Sequence, residues 1–248
     1  MDLGIRGRNA IICAGSQGLG RACAIAVAQE GVNVCINGRD VHTLQKAADE
    51  IRATAPNVSV KTVVGSVTNP EVRAALVAAF PEPDILLNNA GGPPPGSFRD
   101  FDRETWMAAL DQNLFSAIEL IRLTIDGMAK RRFGRIVNIT SSAVRVPIPV
   151  IGLSNAARAG LTNFVLGLVP EFSSQGVTIN NLLPGPFNTN RLRNSEEITK
   201  HLTTNRVAGR VGEPEELGAM FAFLCGTKSS YITGQNILLD GGLYPGNF

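Results

Sequence analysis

Short β-rich runs alternate with helical patterns along the whole of this chain, and that alternation leaves few folds open to it. Compact apolar runs at 9–13, 32–37, 58–64, 84–88, 135–140, 178–183 and 236–239 read as strands. Between the first two, helical spacing over 18–30 places Leu19, Cys23, Ala26 and Val27 on one face. Asp40 can cap a second helix, whose Val41, Leu44, Ala48 and Ile51 also share a face. Asn69-Pro70 opens a third, with proline at its first position. Further helical stretches cover 102–128, 153–174 and 214–225. Strands separated by helices pair in parallel through right-handed crossovers. The strands lack polar alternation, as expected when both sheet faces are covered. The expectation is an α/β fold: one doubly wound Rossmann-type domain over residues 1–248, with a parallel seven-stranded sheet and helices on both faces.

Two segments break the regularity. Gly91-Gly92-Pro93-Pro94-Pro95-Gly96 can be neither helix nor inner strand, and it follows the carboxyl end of a strand, where ligands bind in such folds. Pro170 falls inside a helical pattern, where proline costs about 3 kcal/mol and should kink the helix near Leu166.

Composition removes several function classes. A formal charge of +2 is too small to argue for nucleic acid. The basic cluster Lys130, Arg131, Arg132 and Arg135 sits at a predicted helix end, where it complements the helix dipole. Cys13, Cys23, Cys35 and Cys225 lie in apolar runs without C-x-x-C or zinc-like spacing, so they read as buried, reduced core residues and no metal site is expected. No signal peptide and no apolar run long enough for a bilayer is evident, and a cytoplasmic location is the expectation.

The first strand-to-helix turn, Cys13-Ala14-Gly15-Ser16-Gln17-Gly18-Leu19-Gly20, is built for close approach to a pyrophosphate, with free N–H groups at the helix start. The end of the second strand chooses between cofactors, because an acid there would bind the 2′-hydroxyl of NAD whereas a base accommodates the 2′-phosphate of NADP. Asn37-Gly38-Arg39 supplies the base, so NADP(H) is expected before NAD(H).

Together these motifs resemble the short-chain dehydrogenase/reductase family, in particular its 3-oxoacyl-carrier-protein reductase-like members, over essentially the whole chain. Asn88-Asn89-Ala90-Gly91 is similar to the family's N-N-A-G, and Asn113 falls where the family has an active-site asparagine within a helix. Ser141 matches its substrate-polarising serine, and Pro184-Gly185-Pro186-Phe187-Asn188-Thr189 resembles its P-G-x-x-x-T. Segments 210–215, 231–235 and 240–242 resemble its carboxyl-terminal signatures. The resemblance implies a cofactor held by Ala14, Ser16, Gln17, Gly18, Leu19, Gly20, Arg39, Ser66, Val67, Asn89, Ala90, Gly91, Arg158, Pro184, Gly185, Phe187 and Thr189. It also implies a small carbonyl or alcohol substrate, and a homotetramer built on two long helices and the last strand.

The departures matter as much. Ala14 stands at the family's first turn glycine, after Cys13 in place of threonine, and Ser66 stands where an aspartate touches adenine. Most consequential is the Y-x-x-x-K pair: the family's spacing from Ser141 lands on Ser154, and four further on is Arg158. Four residues apart on a helix, both should face the cofactor. Ser154 is a far poorer acid than tyrosine, and Arg158 cannot relay a proton, although it can hold ribose hydroxyls or an alkoxide. Asn113, Ser141, Ser154 and Arg158 are the catalytic candidates. Three readings stay open: a modified oxidoreductase using water as proton carrier, a cofactor-binding sensor or scaffold, and a non-redox lyase or epimerase. His42 reads as surface, His201 as a loop residue, Tyr231 as packed, Tyr244 as near a neighbouring site only in an oligomer, and Trp106 as helix core.

Overall fold

A computed structural model describes residues 1–193 and 207–244. Its seven strands are β1 (Asn9–Ile12), β2 (Asn33–Gly38), β3 (Val60–Val64), β4 (Ile85–Asn88), β5 (Gly134–Ile139), β6 (Val177–Pro184) and β7 (Asn236–Leu239). They form one parallel sheet in the order β3-β2-β1-β4-β5-β6-β7. The expected fold is therefore present. The order reverses between β1 and β4, the switch point at which open α/β sheets leave a crevice outside their carboxyl ends.

The period-two geometry of the strands divides the apolar residues between two faces. Ile12, Val34, Ile36 and Leu87 pack with Val27 of α1 (Gly18–Gln29), Leu44 and Ile51 of α2 (Val41–Thr54) and Phe221 of the later helix Pro214–Cys225. On the opposite face Ile11, Leu86, Ile136 and Ile179 meet Leu76 of α3 (Pro70–Ala79) and side chains of two central helices. Each fully buried side chain of this size contributes about 1.5–3 kcal/mol.

Helix starts follow the expected chemistry. The Asp40 carboxylate accepts the Thr43 N–H at 2.8 Å, and Asn69 caps α3 ahead of Pro70. The segment expected as one helix over 102–128 is α4 (Arg103–Leu110) and α5 (Ser116–Lys130), joined by a π-type turn over Asp111–Phe115. In that wide turn the hydrogen bonds run one residue too long, which no hydrophobic periodicity could announce. The next helix, α6 (Gly152–Phe172), continues through Pro170, which lies exposed in its last turn. The helix runs on without interruption, because so close to its end proline removes one hydrogen bond from the last turns alone. A short helical turn, α7 (Asn190–Arg193), and α8 (Pro214–Cys225) complete the described helices.

A row of amides crosses the middle of the sheet. The Nδ2 of Asn88 donates to Asn138 Oδ1 at 2.9 Å, Asn138 to Asn181 at 2.9 Å, and Asn181 to Asn236 at 2.8 Å. The four are in register on β4 to β7. Along the row each amide hydrogen bond satisfies a donor and an acceptor, while Asn88 Oδ1 at its end has no partner among the described residues.

The three arginines of the basic cluster are used internally at the amino end of the sheet, while Lys130 is exposed. Arg131 donates to Pro83 O at 2.7 Å, Arg132 to Ser174 O at 3.2 Å, and buried Arg135 to the carbonyls of Gly226, Gly134 and Gly176. All four cysteines are buried and unbridged. Burial pushes the thiols of Cys13 and Cys35 up to about 12 and raises Cys23 and Cys225 as well. No described helix is long and apolar enough to cross a membrane, and no metal-binding cluster occurs among the described residues.

Candidate functional site

The loops at the carboxyl ends of the strands enclose a cleft of about 1140 Å³. At β1 the chain turns sharply: Ala14 adopts a left-handed φ of 48° and Gly18 one of 54°. The turn is anchored by Gly15 N–H on Asn37 O at 2.8 Å, and Asn37 in turn donates to Val63 O and Gly65 O at 3.1 and 2.9 Å. Gly20 is needed for packing, since a Cβ there would stand 2.2 Å from Ala14 O. It supports the turn from below, while Ala14, Ser16, Gln17, Gly18 and Leu19 line the cleft. Gln17 at the N-cap of α1 makes no side-chain capping bond. The first N–H groups of the helix therefore lack the usual side-chain partner and suit an anion.

Arg39 follows β2, exposed and lining the cleft, with no ion pair among the described residues. Ser66 and Val67 after β3, Asn89, Ala90 and Gly91 after β4, and Pro184, Gly185, Phe187 and Thr189 after β6 line the same cleft. The sequence-derived binding residues thus come together, except that Gly20 sits behind the wall.

The catalytic candidates divide in two. Ser141 and Ser154 both line the cleft, where Ser141 caps a short 3-10 turn, Ser142–Val144, and accepts the Ala143 N–H at 3.1 Å. Ser154 lies in the first turn of α6 and accepts from Arg158 Nε at 3.1 Å. Arg158, only 8% exposed, also donates through Nη1 to Ile139 O at 2.8 Å and Thr140 O at 2.6 Å, and through Nη2 to Ala90 O at 3.3 Å. The guanidinium therefore ties α6 to the ends of β4 and β5. Asn113 occupies the π-turn, is buried, and lines a small adjoining cavity with Asn88 and Arg158 instead of the cleft itself. Sequence spacing gave no sign of the carbonyls around Arg158, because they belong to strands distant along the chain.

The remaining candidates are placed less centrally. His42 is exposed on α2, and Trp106 is half-buried on α4 away from the cleft. His201 lies outside the described residues. Tyr244 is half-buried, and its N–H donates to Asp240 Oδ2 at 2.9 Å. The expectation that Tyr231 packs is corrected: it is fully exposed. Its neighbours carry the packing instead, with Thr233 Oγ1 accepting the Ile179 N–H and Ile232 O accepting from Asn180.

A family model described as enoyl-(acyl carrier protein) reductase matches residues 13–244. The chain belongs to the short-chain dehydrogenase/reductase family. Among relatives of this short-chain dehydrogenase/reductase, the 3-oxoacyl-acyl-carrier-protein reductase of Vibrio cholerae is 31% identical over 249 residues, covering 98% of this chain and 99% of its own. The acetoacetyl-CoA reductase of Allochromatium vinosum is 32% identical, covering 96% and 98%. Among solved structures, the L-sorbose reductase from Gluconobacter frateurii complexed with NADPH and L-sorbose superposes with a TM-score of 0.93 at 29% identity, with both chains covered completely.

Proposed function

We propose that this chain is an oxidoreductase that binds NADP(H) in the cleft and interconverts a carbonyl and a secondary alcohol through a serine pair backed by arginine. The observation that carries the reading is the continuity of the cleft, with Arg39 at one end and Ser141 and Ser154 at the other. The residues fit the cofactor: uncapped N–H groups at α1 suit a pyrophosphate, and exposed Arg39 suits a 2′-phosphate. The NADPH-dependent relatives, including the reductase BacG of Bacillus subtilis, support the same choice.

When bound, the cofactor supplies or accepts a hydride equivalent. The chain's own residues address the other half of the chemistry, the carbonyl oxygen. Each serine oxygen already accepts a hydrogen bond, from Ala143 N–H or from Arg158 Nε, and each hydroxyl keeps a hydrogen that it can donate. Two donors converging on one oxygen stabilise the charge that builds there, and the fixed positive charge behind Ser154 strengthens its donation. Arg158 is a positioning residue in this reading: its nitrogens hold Ser154 and three carbonyls, in place of the ribose contact that the family resemblance implied. Ser154 and Arg158 replace the family's Tyr and Lys, so the proton that completes the alcohol comes from water. Losing a positioned acid of this kind costs about 10²–10⁴ in rate.

Calorimetry with NADPH and NADH tests cofactor choice. NADPH should bind more tightly, and Arg39→Ala should remove about 1.5–3 kcal/mol of that binding with NADH unaffected. Equal affinities would overturn the assignment. Activity is tested by a ketone panel on the native chain and on Ser154→Tyr/Arg158→Lys, where native turnover should be slow but real and Ser141→Ala should abolish it. The way Arg158 is engaged by main-chain carbonyls also favours a second reading, a cofactor-binding sensor or scaffold. It would follow if only the double variant turned over. The protein is further proposed to act in the cytoplasm as a homotetramer. Exposed Met107, Phe115, Leu123 and Phe164 on the central helices support that assembly.

A further inference from the structure

The turn after β3 enters the cleft beside the end of β2. Val64 stands in register with Gly38, and Gly65 N–H donates to Gly38 O at 2.9 Å, so Ser66 and Val67 line the cleft next to Arg39. On the other side of Gly38 lies the turn after β1, since a Cβ on Gly38 would stand 2.8 Å from Ser16 Oγ. A nucleotide with its pyrophosphate at α1 and its 2′-phosphate at Arg39 therefore carries its base on the β3 side. The main-chain acceptors of that turn are already engaged. Gly65 O accepts from Asn37 Nδ2 at 2.9 Å, Ser66 O from Asn69 N–H at 3.0 Å, and Val67 O from Arg73 Nη1 at 2.7 Å. The exposed Asp40 carboxylate caps α2 by accepting Thr43 N–H at 2.8 Å. What the turn adds is a pair of hydroxyls: Ser66 Oγ and Thr68 Oγ1, both half-buried, lie 2.8 Å apart, and Thr68 N–H approaches Ser66 Oγ at 3.3 Å.

We propose that the Ser66–Thr68 hydroxyl pair meets the 6-position of the cofactor's purine without preferring an amino over an oxo group, so that this chain takes the hypoxanthine counterpart of NADP(H) about as well as NADP(H) itself. The inference rests on the reading that NADP(H) occupies the cleft. A hydroxyl both donates and accepts, and the bond within the pair can run in either direction. When Thr68 donates to Ser66, the Ser66 hydrogen is left for a 6-oxo group. When Ser66 donates to Thr68, a lone pair on Ser66 is left for a 6-amino group. An ionised carboxylate at the same position accepts only, so an oxo group would leave it without a partner. Discrimination requires a group that one ligand leaves unsatisfied, and neither purine does that to the hydroxyl pair.

Calorimetry on the full chain compares NADP⁺ with nicotinamide hypoxanthine dinucleotide phosphate, which share the 2′-phosphate and the pyrophosphate and differ in the base alone. The two dissociation constants should agree within about threefold. Ser66→Asp should introduce a preference for the adenine cofactor of about tenfold, the size of a hydrogen bond to a charged acceptor. Ser66→Ala should weaken both ligands alike. A native preference for adenine of about tenfold or more, or a ratio that Ser66→Asp leaves unmoved, would overturn the proposal. If Ser66→Asp fails to fold, the native ratio and Ser66→Ala decide it. Binding of neither dinucleotide would sink the cofactor reading and this inference with it, whereas a tight but base-selective site would sink this inference alone.

Discussion

At the residue scale, Ala14 shows how a local rule can be broken and still tolerated. Its φ of 48° lies in the region that L-residues with a side chain occupy at a cost of about 1–2 kcal/mol. The turn keeps this geometry because both sides of it are anchored, through Cys13 N–H on Leu87 O at 3.0 Å and Gly15 N–H on Asn37 O at 2.8 Å. Ala14→Gly should therefore stabilise the protein by about 0.5–1 kcal/mol, the relief of strain being partly offset by the greater entropy of glycine in the unfolded chain. Thermal unfolding of the two proteins checks this, and a lower melting temperature for the glycine variant would contradict it. The backbone accepts the strain at Ala14.

At the element scale, the amide row links four adjacent strands of the sheet. Asn138 is its centre, donating to Asn181 and accepting from Asn88, and it is fully buried. Asn138→Leu would leave a donor on one neighbour and an acceptor on the other without partners in a dry interior. A loss of about 2–4 kcal/mol is expected in chemical denaturation. A loss below half a kilocalorie would mean that the row is incidental to the sheet. The π-turn over Asp111–Phe115 belongs to the same scale: it turns Asn113 toward Asn88 and Arg158, a placement that straight helical geometry would not give.

At the scale of the whole molecule, burial of four neutral thiols ties stability to pH. An unfolded thiol ionises near 9, whereas Cys13 and Cys35 in the fold ionise at about 12. A group with its folded pKa raised stabilises fully below the unfolded value and loses that contribution as pH climbs toward the folded one. The melting temperature should therefore fall progressively above pH 9, and Cys13→Ala/Cys35→Ala should flatten the slope. An unchanged slope would show that other groups govern alkaline unfolding. The proposed assembly is tested at this scale too. Leu123, 43% exposed on α5, should lie in a contact between copies. Leu123→Glu is expected to lower the mass measured by light scattering while leaving the circular dichroism of the fold unchanged.

Alternation of strand and helix by itself determined that this chain would be a doubly wound parallel sheet, because periodicity and caps are properties of neighbours along the sequence. The family resemblance, read from motifs along the same sequence, pointed to Ser141, Ser154 and Arg158 as candidates. Only the tertiary structure decided what Arg158 does, since the carbonyls of Ala90, Ile139 and Thr140 reach it from strands far away in the chain. The same holds for the exposure of Tyr231, the wide turn at Asn113 and the main-chain hydrogen bond from Gly96 to Val150. Each depends on which distant groups compete for the same hydrogen bonds, and no local pattern encodes that competition.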